Sequence, residues 1–362
     1  MQHQELTNWQ DVCSTARKIK TCRPEWKCSY YSLSIPGIDY CLQISVSLAR
    51  KIVEHETITI VCSEDLSILT KGLLRRCTPI RSMETSQELA FTEVGEGLPI
   101  LIVHGWTMAG FVETLDFEPI FRKTSGYRRV YVDLPGMGSS PIGKAKDLDS
   151  MLESVSIFIA RHIIPSKFAL FGTSCGAYLV RALAYRHASY VEGLVLRVPV
   201  VEPESSKRDV DPFVPVIANE GLISSLSATV RENLGDVPVQ TPDYMRALQQ
   251  RAAATWVPAV EKSDAAALDP IRSDPDRYKL TATMHSPTEP FSKPALILTG
   301  RQDTDVGFRD AWSLMRCYPR ATFAALDRAS HGFPVDEMER ELFEALVREW
   351  LRRVEEVRAL SR

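Results

Sequence analysis

Gly172-Thr173-Ser174-Cys175-Gly176 spells G-x-S-x-G, and the apolar run Phe168-Ala169-Leu170-Phe171 leads straight into it. An amphipathic stretch from about Tyr178 to His187 follows. Strand, sharp turn, helix is the context in which a serine is held on a strained backbone, its hydroxyl over the end of a sheet and at a helix N-terminus. Gly172 and Gly176 then have a steric task, because neighbouring backbone comes too close for side chains. A glycine-rich turn with a helix-capping serine spells the same five letters, so the reading depends on partners elsewhere in the chain.

A serine hydroxyl attacks only when a base takes its proton, and the base needs a third group to fix its tautomer and stabilise its charge. With this kind of turn the order along the chain is serine, acid, histidine. The acid is expected in Pro294-Ala295-Leu296-Ile297-Leu298-Thr299-Gly300-Arg301-Gln302-Asp303. Ala295 to Leu298 reads as a strand buried on both faces, Gly300 breaks it, and Asp303 follows in the loop at its carboxyl end. Asp305 is the rival; the Gly-x-x-Asp spacing favours Asp303. Either could instead be a turn residue or a helix cap. The histidine is expected at His331, in Ala329-Ser330-His331-Gly332-Phe333, after the strand-like run Thr322 to Leu326 and before a helix from about Val335 to Val357. Of the seven histidines, only His331 lies downstream of the acid on a loop after a strand.

The negative charge of an acyl-transfer transition state needs backbone N–H donors. One is expected from the residue after the serine, Cys175. The other is expected from the loop after the strand Pro99-Ile100-Leu101-Ile102-Val103, where His104-Gly105-Trp106 follows; Trp106 is favoured and Thr107 is the alternative. His104 reads as a buried brace for this loop with no part in proton transfer. The Cys175 thiol reads as packing, because it points away from the reaction centre if Ser174 points into it. Arg129 to Val132 is a further strand, and Asp133-Leu134-Pro135-Gly136-Met137-Gly138-Ser139-Ser140 is a tight turn after it.

At His104-Gly105-Trp106, Asp133 to Ser139, Gly172 to Gly176, Gly300 to Asp303 and Ser330-His331-Gly332, the chain resembles the α/β-hydrolases. The similarity is to the lid-bearing group of esterases, proline iminopeptidases, cofactor-free haloperoxidases and carbon–carbon bond hydrolases, and it covers about residues 76 to 362. It implies Ser174 as nucleophile, Asp303 as acid, His331 as base, and Trp106 and Cys175 as oxyanion-hole donors. It also implies a mostly parallel sheet flanked by helices, interrupted by a helical lid. Two departures stand out: cysteine follows the serine, and Trp106-Thr107 replaces a proline-containing loop. A serine in place of aspartate argues against epoxide hydrolase and haloalkane dehalogenase chemistry.

Composition fits this picture. With 362 residues, 44 % of them hydrophobic, the chain can bury a large core. A formal charge of −3 gives no reason to expect nucleic acid, and neither a dense basic run nor a bilayer-length apolar run suggests a membrane. Met1-Gln2-His3-Gln4-Glu5 is polar and lacks the apolar core of an export signal, so a cytoplasmic location is expected. Six of the eight cysteines fall in the first 77 residues with no C-x-x-C pair, so reduced structural thiols are expected and a metal site is not. No organic cofactor is required.

Residues 76–199 and 293–362 are expected to form the core, and 200–292 the lid, with helical patterns at 219–234, 242–255 and 258–267. Phe213, Val216, Ile223, Leu226, Met245, Leu248 and Trp256 could line a pocket, although holding the lid together is the simpler role for each. Residues 1–75 read as an α/β appendage of helix (5–20), strand (26–35), helix (38–56), strand (57–62) and helix (65–74), a candidate for dimerisation or ligand binding. The expected chemistry is hydrolysis of a small ester or amide through an acyl-enzyme. Carbon–carbon cleavage, perhydrolysis or aminopeptidase action at the same triad are alternatives, the last needing lid acids such as Asp209, Asp211 or Glu220. A non-catalytic ligand receptor on the same fold is the alternative of another class.

Overall fold

The computed structural model describes residues 17–19, 30–33, 42–45 and 88–360. The chain divides into two compact units, Met1–Met83 and Glu84–Arg362.

In the first unit, strands β1 (Arg17–Ile19), β2 (Tyr30–Leu33) and β3 (Leu42–Ser45) pair antiparallel in the order β1-β2-β3. β1 and β3 fall where helices are expected over 5–20 and 38–56. The local pattern explains β3: Leu42-Gln43-Ile44-Ser45 alternates apolar and polar with the period of a strand. The strand expected at 57–62 and the helix at 65–74 lie outside the described residues.

The second unit is built on a seven-stranded sheet. Its strands are β4 (Phe91–Val94), β5 (Leu98–Val103), β6 (Tyr127–Val132), β7 (Phe168–Thr173), β8 (Val191–Arg197), β9 (Ala295–Gly300) and β10 (Ala321–Leu326). They lie in the order β10-β9-β8-β7-β5-β6-β4. All neighbours are parallel except β4, which runs antiparallel to β6 at one edge. Parallel pairing requires crossovers. They are supplied by α1 (Gly110–Phe121), α2 (Leu148–His162) and α3 (Cys175–Arg186) between successive strands up to β8, and by α10 (Phe308–Ser313) between β9 and β10; α11 (Glu337–Leu360) closes the chain.

Successive strand residues face opposite sides. Phe171 of β7 meets Phe117 of α1 edge-on at 4.0 Å between ring centroids, and Phe117 meets Phe343 of α11, so α1 and α11 cover one face. Gly172, the next residue, faces α3, where a Cβ would stand 2.5 Å from Val180 Cγ2. The central strands are buried on both faces, which is why Leu98–Val103 and Ala295–Gly300 read as continuous apolar runs. Each fully buried Leu, Ile or Phe contributes about 1.5–3 kcal/mol.

Between β8 and β9 lies the insertion, with α4 (Glu220–Ser224), α5 (Ala228–Leu234), α6 (Pro242–Ala254), α7 (Trp256–Glu261), α8 (Ala265–Arg272) and α9 (Pro275–Tyr278). The single helical patterns expected at 219–234 and 258–267 are each divided by a capping residue. Ser227 accepts from Val230 N–H to start α5, and Asp264 accepts from Ala267 N–H to start α8. Among the described residues no helix is long and apolar enough to cross a membrane.

Candidate active site

Strands β5, β7, β9 and β10 run in the same direction, so the loops at their carboxyl ends lie on one side of the sheet. β7 passes into α3 through Ser174, whose backbone has φ 53° and ψ −116°, in the left-handed half of the map. A non-glycine residue holds that conformation only when its surroundings over-determine it. Here they do. A Cβ on Gly176 would collide with the carbonyl oxygens of Val103 and His104, and one on Gly172 would stand 2.5 Å from the Gly176 carbonyl oxygen. The Ser174 N–H donates to Arg197 O of β8 at 2.9 Å. Both glycines are therefore needed to fold the turn against β5.

His331, on the loop after β10, places Nε2 3.0 Å from Ser174 Oγ. Its Nδ1 lies 2.9 Å from Asp303 Oδ2. The other Asp303 oxygen accepts from the N–H groups of Asp305 and Val306 at 2.9 and 3.1 Å. Asp303 is buried, and burial alone would raise its pKa. The charge and hydrogen bond of His331, together with those two amides, outweigh burial and keep the carboxyl below its ordinary range. For His331 burial opposes the charged form, but Asp303 prevails and raises the imidazole above its ordinary pKa; Asp305 adds to the rise and Arg208 opposes it. An ionised Asp303 accepts from Nδ1–H, which leaves the Nε2 lone pair facing the serine hydroxyl. Asp303, not Asp305, touches the imidazole; Asp305 contributes its backbone N–H and its charge.

Asp303, Asp305 and His331 bring three potential ligand atoms within 4.8 Å of one another. Asp303 and His331 are already engaged with each other, with Ser174 and with backbone amides, so this trio serves the hydrogen-bonded chain.

The loop after β5 lies alongside. A Cβ on Gly105 would sit 3.3 Å from Ser174 Cβ, and Thr107 carries a positive φ of 55°. Among the described residues no backbone acceptor engages the N–H of Trp106 or of Cys175. His104 is fully buried, donates from Nδ1 to Gly105 O at 2.7 Å and accepts the Leu134 N–H on Nε2 at 2.9 Å. Burial lowers its pKa. A neutral imidazole with both nitrogens spoken for braces the β5 loop against the β6 loop. Asp133 holds the same corner by accepting from Gly110 N–H at 2.7 Å and Ser139 N–H at 2.8 Å.

The Cys175 thiol is fully buried beside Tyr278, and burial pushes its pKa up to about 11. Tyr278 also meets Trp106 edge-on, with ring centroids 5.3 Å apart. His162 and His187 lie away from the site, bonded to Glu88 and Ser156.

The family model described as alpha/beta hydrolase fold matches residues 99–307. The chain belongs to that family. Among its relatives is a pimeloyl-[acyl-carrier protein] methyl ester esterase of Shewanella woodyi, 30 % identical over 47 % of this chain and 59 % of that protein. The alignment thus spans little more than half of that relative. The protein of the same name from Vibrio cholerae is 26 % identical over 66 % of this chain and 89 % of its own length. Among solved structures, an alpha/beta superfamily hydrolase from Oenococcus oeni superposes with a TM-score of 0.62 at 23 % identity, covering 74 % of this chain and 97 % of that one. A meta-cleavage product hydrolase from Pseudomonas fluorescens gives 0.52 at 20 % identity, covering 73 % and 94 %.

In this α/β-hydrolase the apolar residues of the insertion mainly serve the insertion itself. Met245 and Leu248 are buried in a cluster with Tyr244 and Val335, and Ile223, Leu226 and Trp256 pack against it, whereas Val216 is exposed. Sequence reasoning missed the charged residues beneath the site: Glu113 and Asp116 of α1, Arg197 at the end of β8 and Arg251 of α6. All but Arg251 are fully buried. The one cue was an arginine ending the otherwise apolar run Leu194-Val195-Leu196.

Proposed function

We propose that the chain is a serine hydrolase that cleaves a small ester by acyl transfer. The observation that carries this is the unbroken chain from Asp303 through His331 to Ser174, at a hydroxyl held on a strained turn. His331 Nε2 takes the proton as Ser174 Oγ attacks the ester carbonyl carbon. The carbonyl oxygen becomes an oxyanion that accepts from the Trp106 and Cys175 amides. The tetrahedral intermediate collapses, His331 returns the proton to the departing alkoxide, and an acyl-serine remains. Water, deprotonated by the same imidazole, attacks the acyl carbon and releases the acid and the free serine.

The names of the relatives support an ester, and a methyl ester of a carrier-bound acyl chain is the first substrate to try. The insertion between β8 and β9 acts in this reading as a lid over the strand ends, excluding water from the acyl-enzyme. Of the acids that an aminopeptidase reading would need, Asp211 pairs with Arg309 and Arg301 and Asp209 with Arg309, while Glu220 stands at the start of α4.

A fluorophosphonate probe tests the reading. Wild type should be labelled at Ser174, Ser174→Ala should not, and a p-nitrophenyl ester series should turn over faster than aminoacyl anilides. A wild-type protein that takes no label overturns the proposal.

A further inference from the structure

Arg251 is on α6, within the insertion, yet it reaches the loop that carries His331. Its Nε donates to the carbonyl of Gly332, the residue after His331, at 2.9 Å. Its two remaining nitrogens fork onto Asp116 at 2.6 and 2.8 Å. Asp116 also accepts from Arg197 at 2.6 Å. Arg197 in turn donates to Glu113 at 2.7 Å, to Thr173 Oγ1 at 3.1 Å and to Phe333 O at 3.4 Å. One buried network therefore touches the residue before Ser174 and both residues after His331.

Two guanidinium and two carboxyl groups buried together carry a large desolvation cost, and apolar residues of the same shape would often serve stability as well. The network is better explained by what it fixes. A planar guanidinium held bidentate by a buried carboxylate has almost no freedom, so its remaining N–H sets the carbonyl it meets. Asp116 is kept ionised by its two arginines against the effect of burial.

We infer that Arg251 is a positioning residue for His331: clamped by Asp116, it fixes the Gly332 carbonyl, hence the imidazole, and makes the docked insertion part of the proton-transfer geometry. This rests on the serine-hydrolase reading for its kinetic consequence, though not for its structural one. The charged groups facing His331 are Asp303, Asp305 and Arg208; those facing Arg251 are Asp116 and, beyond it, Arg197.

The test compares full-length wild type with Arg251→Met and Arg251→Lys. Lysine keeps the charge beside Asp116 but cannot fork onto it while also donating to Gly332, so it carries the test if the methionine variant does not fold. With a p-nitrophenyl ester, kcat should fall by about 10- to 100-fold with KM changed less than about threefold, as expected for a misplaced base. The midpoint of the acid limb of kcat/KM should move down. Independently of turnover, the His331 imidazole is titrated by NMR with 13C-labelled histidine, assigned by His331→Gln. Its pKa should drop in both variants as the hold of Asp303 loosens. A loss of thermal stability with unchanged kcat, pH midpoint and imidazole titration overturns the inference and leaves Arg251 as a structural residue. Wild type that neither turns over ester nor takes a fluorophosphonate label overturns the proposed function instead, and the imidazole titration still decides the positioning role.

Discussion

His331 Nε2 sits 3.0 Å from the Ser174 hydroxyl, although 157 residues of chain separate them. As the proposed base, the imidazole must be neutral to accept that proton. Burial works against its protonation, but Asp303 outweighs burial and raises the pKa above the ordinary value. Activity should therefore rise with pH through a midpoint above about 6.5, the value of a free imidazole. The sign for stability is opposite: the raised pKa stabilises the fold below the unfolded-state pKa, and that share is lost as pH rises through the folded one. Asp303→Asn should pull the midpoint down and lower kcat roughly 10³-fold or more. A kcat/KM profile with its acid limb at or below the free-imidazole value contradicts the geometry.

What the sequence discloses here is what is local. The serine turn is legible because a strand, two glycines and a helix announce it within about twenty residues. The Asp303 and His331 loops are legible because each follows a short apolar strand that a glycine or a polar pair ends. The sheet is legible for the same reason, since strands buried on both faces are mostly apolar. The Arg251–Asp116 pair is not legible, because its partners stand 135 residues apart and neither breaks a local pattern. Arg251 on α6 reads like any charge on a solvated helix. Strand β1 has only three residues, which give a period of two no room to show, and the alternation of β3 covers only four, too few to stand against a longer helical pattern.

Gly176 faces the carbonyls of Val103 and His104 too closely for any side chain. Gly176→Ala must push β5 from α3, and should cost about 1–3 kcal/mol or more in urea unfolding and abolish fluorophosphonate labelling. Gly126 is the control: its φ is 90° but a Cβ there meets nothing within 4 Å. Gly126→Ala should cost about 1 kcal/mol of backbone strain and leave labelling intact. Equal labelling of the two variants would mean that the turn is not held as described.

In the proposed mechanism Cys175 supplies an amide to the oxyanion, while its thiol is buried beside Tyr278. With that thiol buried and pushed up to about 11, Cys175 itself should take no iodoacetamide at neutral pH in the native protein, and the reagent should leave the proposed ester hydrolysis intact. Cys175→Ala keeps the N–H and should retain kcat within about threefold, with about 1 kcal/mol of stability lost beside Tyr278. Rapid, complete inactivation by the reagent, prevented by Cys175→Ala, would instead make the thiol a participant.

Glu339, at the start of α11, accepts from the Val335 N–H at 2.8 Å and from the Tyr244 hydroxyl of α6 at 3.2 Å. It therefore ties the insertion to the terminal helix. Burial pushes its carboxyl up to about 7, with the neighbouring Asp336 adding to the rise and the two hydrogen bonds and Arg328 opposing it. A carboxyl whose folded-state pKa is raised stabilises the fold fully below its unfolded pKa and loses that contribution as pH rises through the folded one. The window runs from the ordinary glutamate range to just above 7, and the shift corresponds to roughly 3–4 kcal/mol at most. Urea unfolding of wild type should show stability falling across that interval. Glu339→Gln, which stays neutral and keeps an acceptor for Val335, should flatten the fall and be the more stable protein at pH 8. A variant with the same pH slope as wild type would show that Glu339 ionises in the folded chain as freely as in the unfolded one.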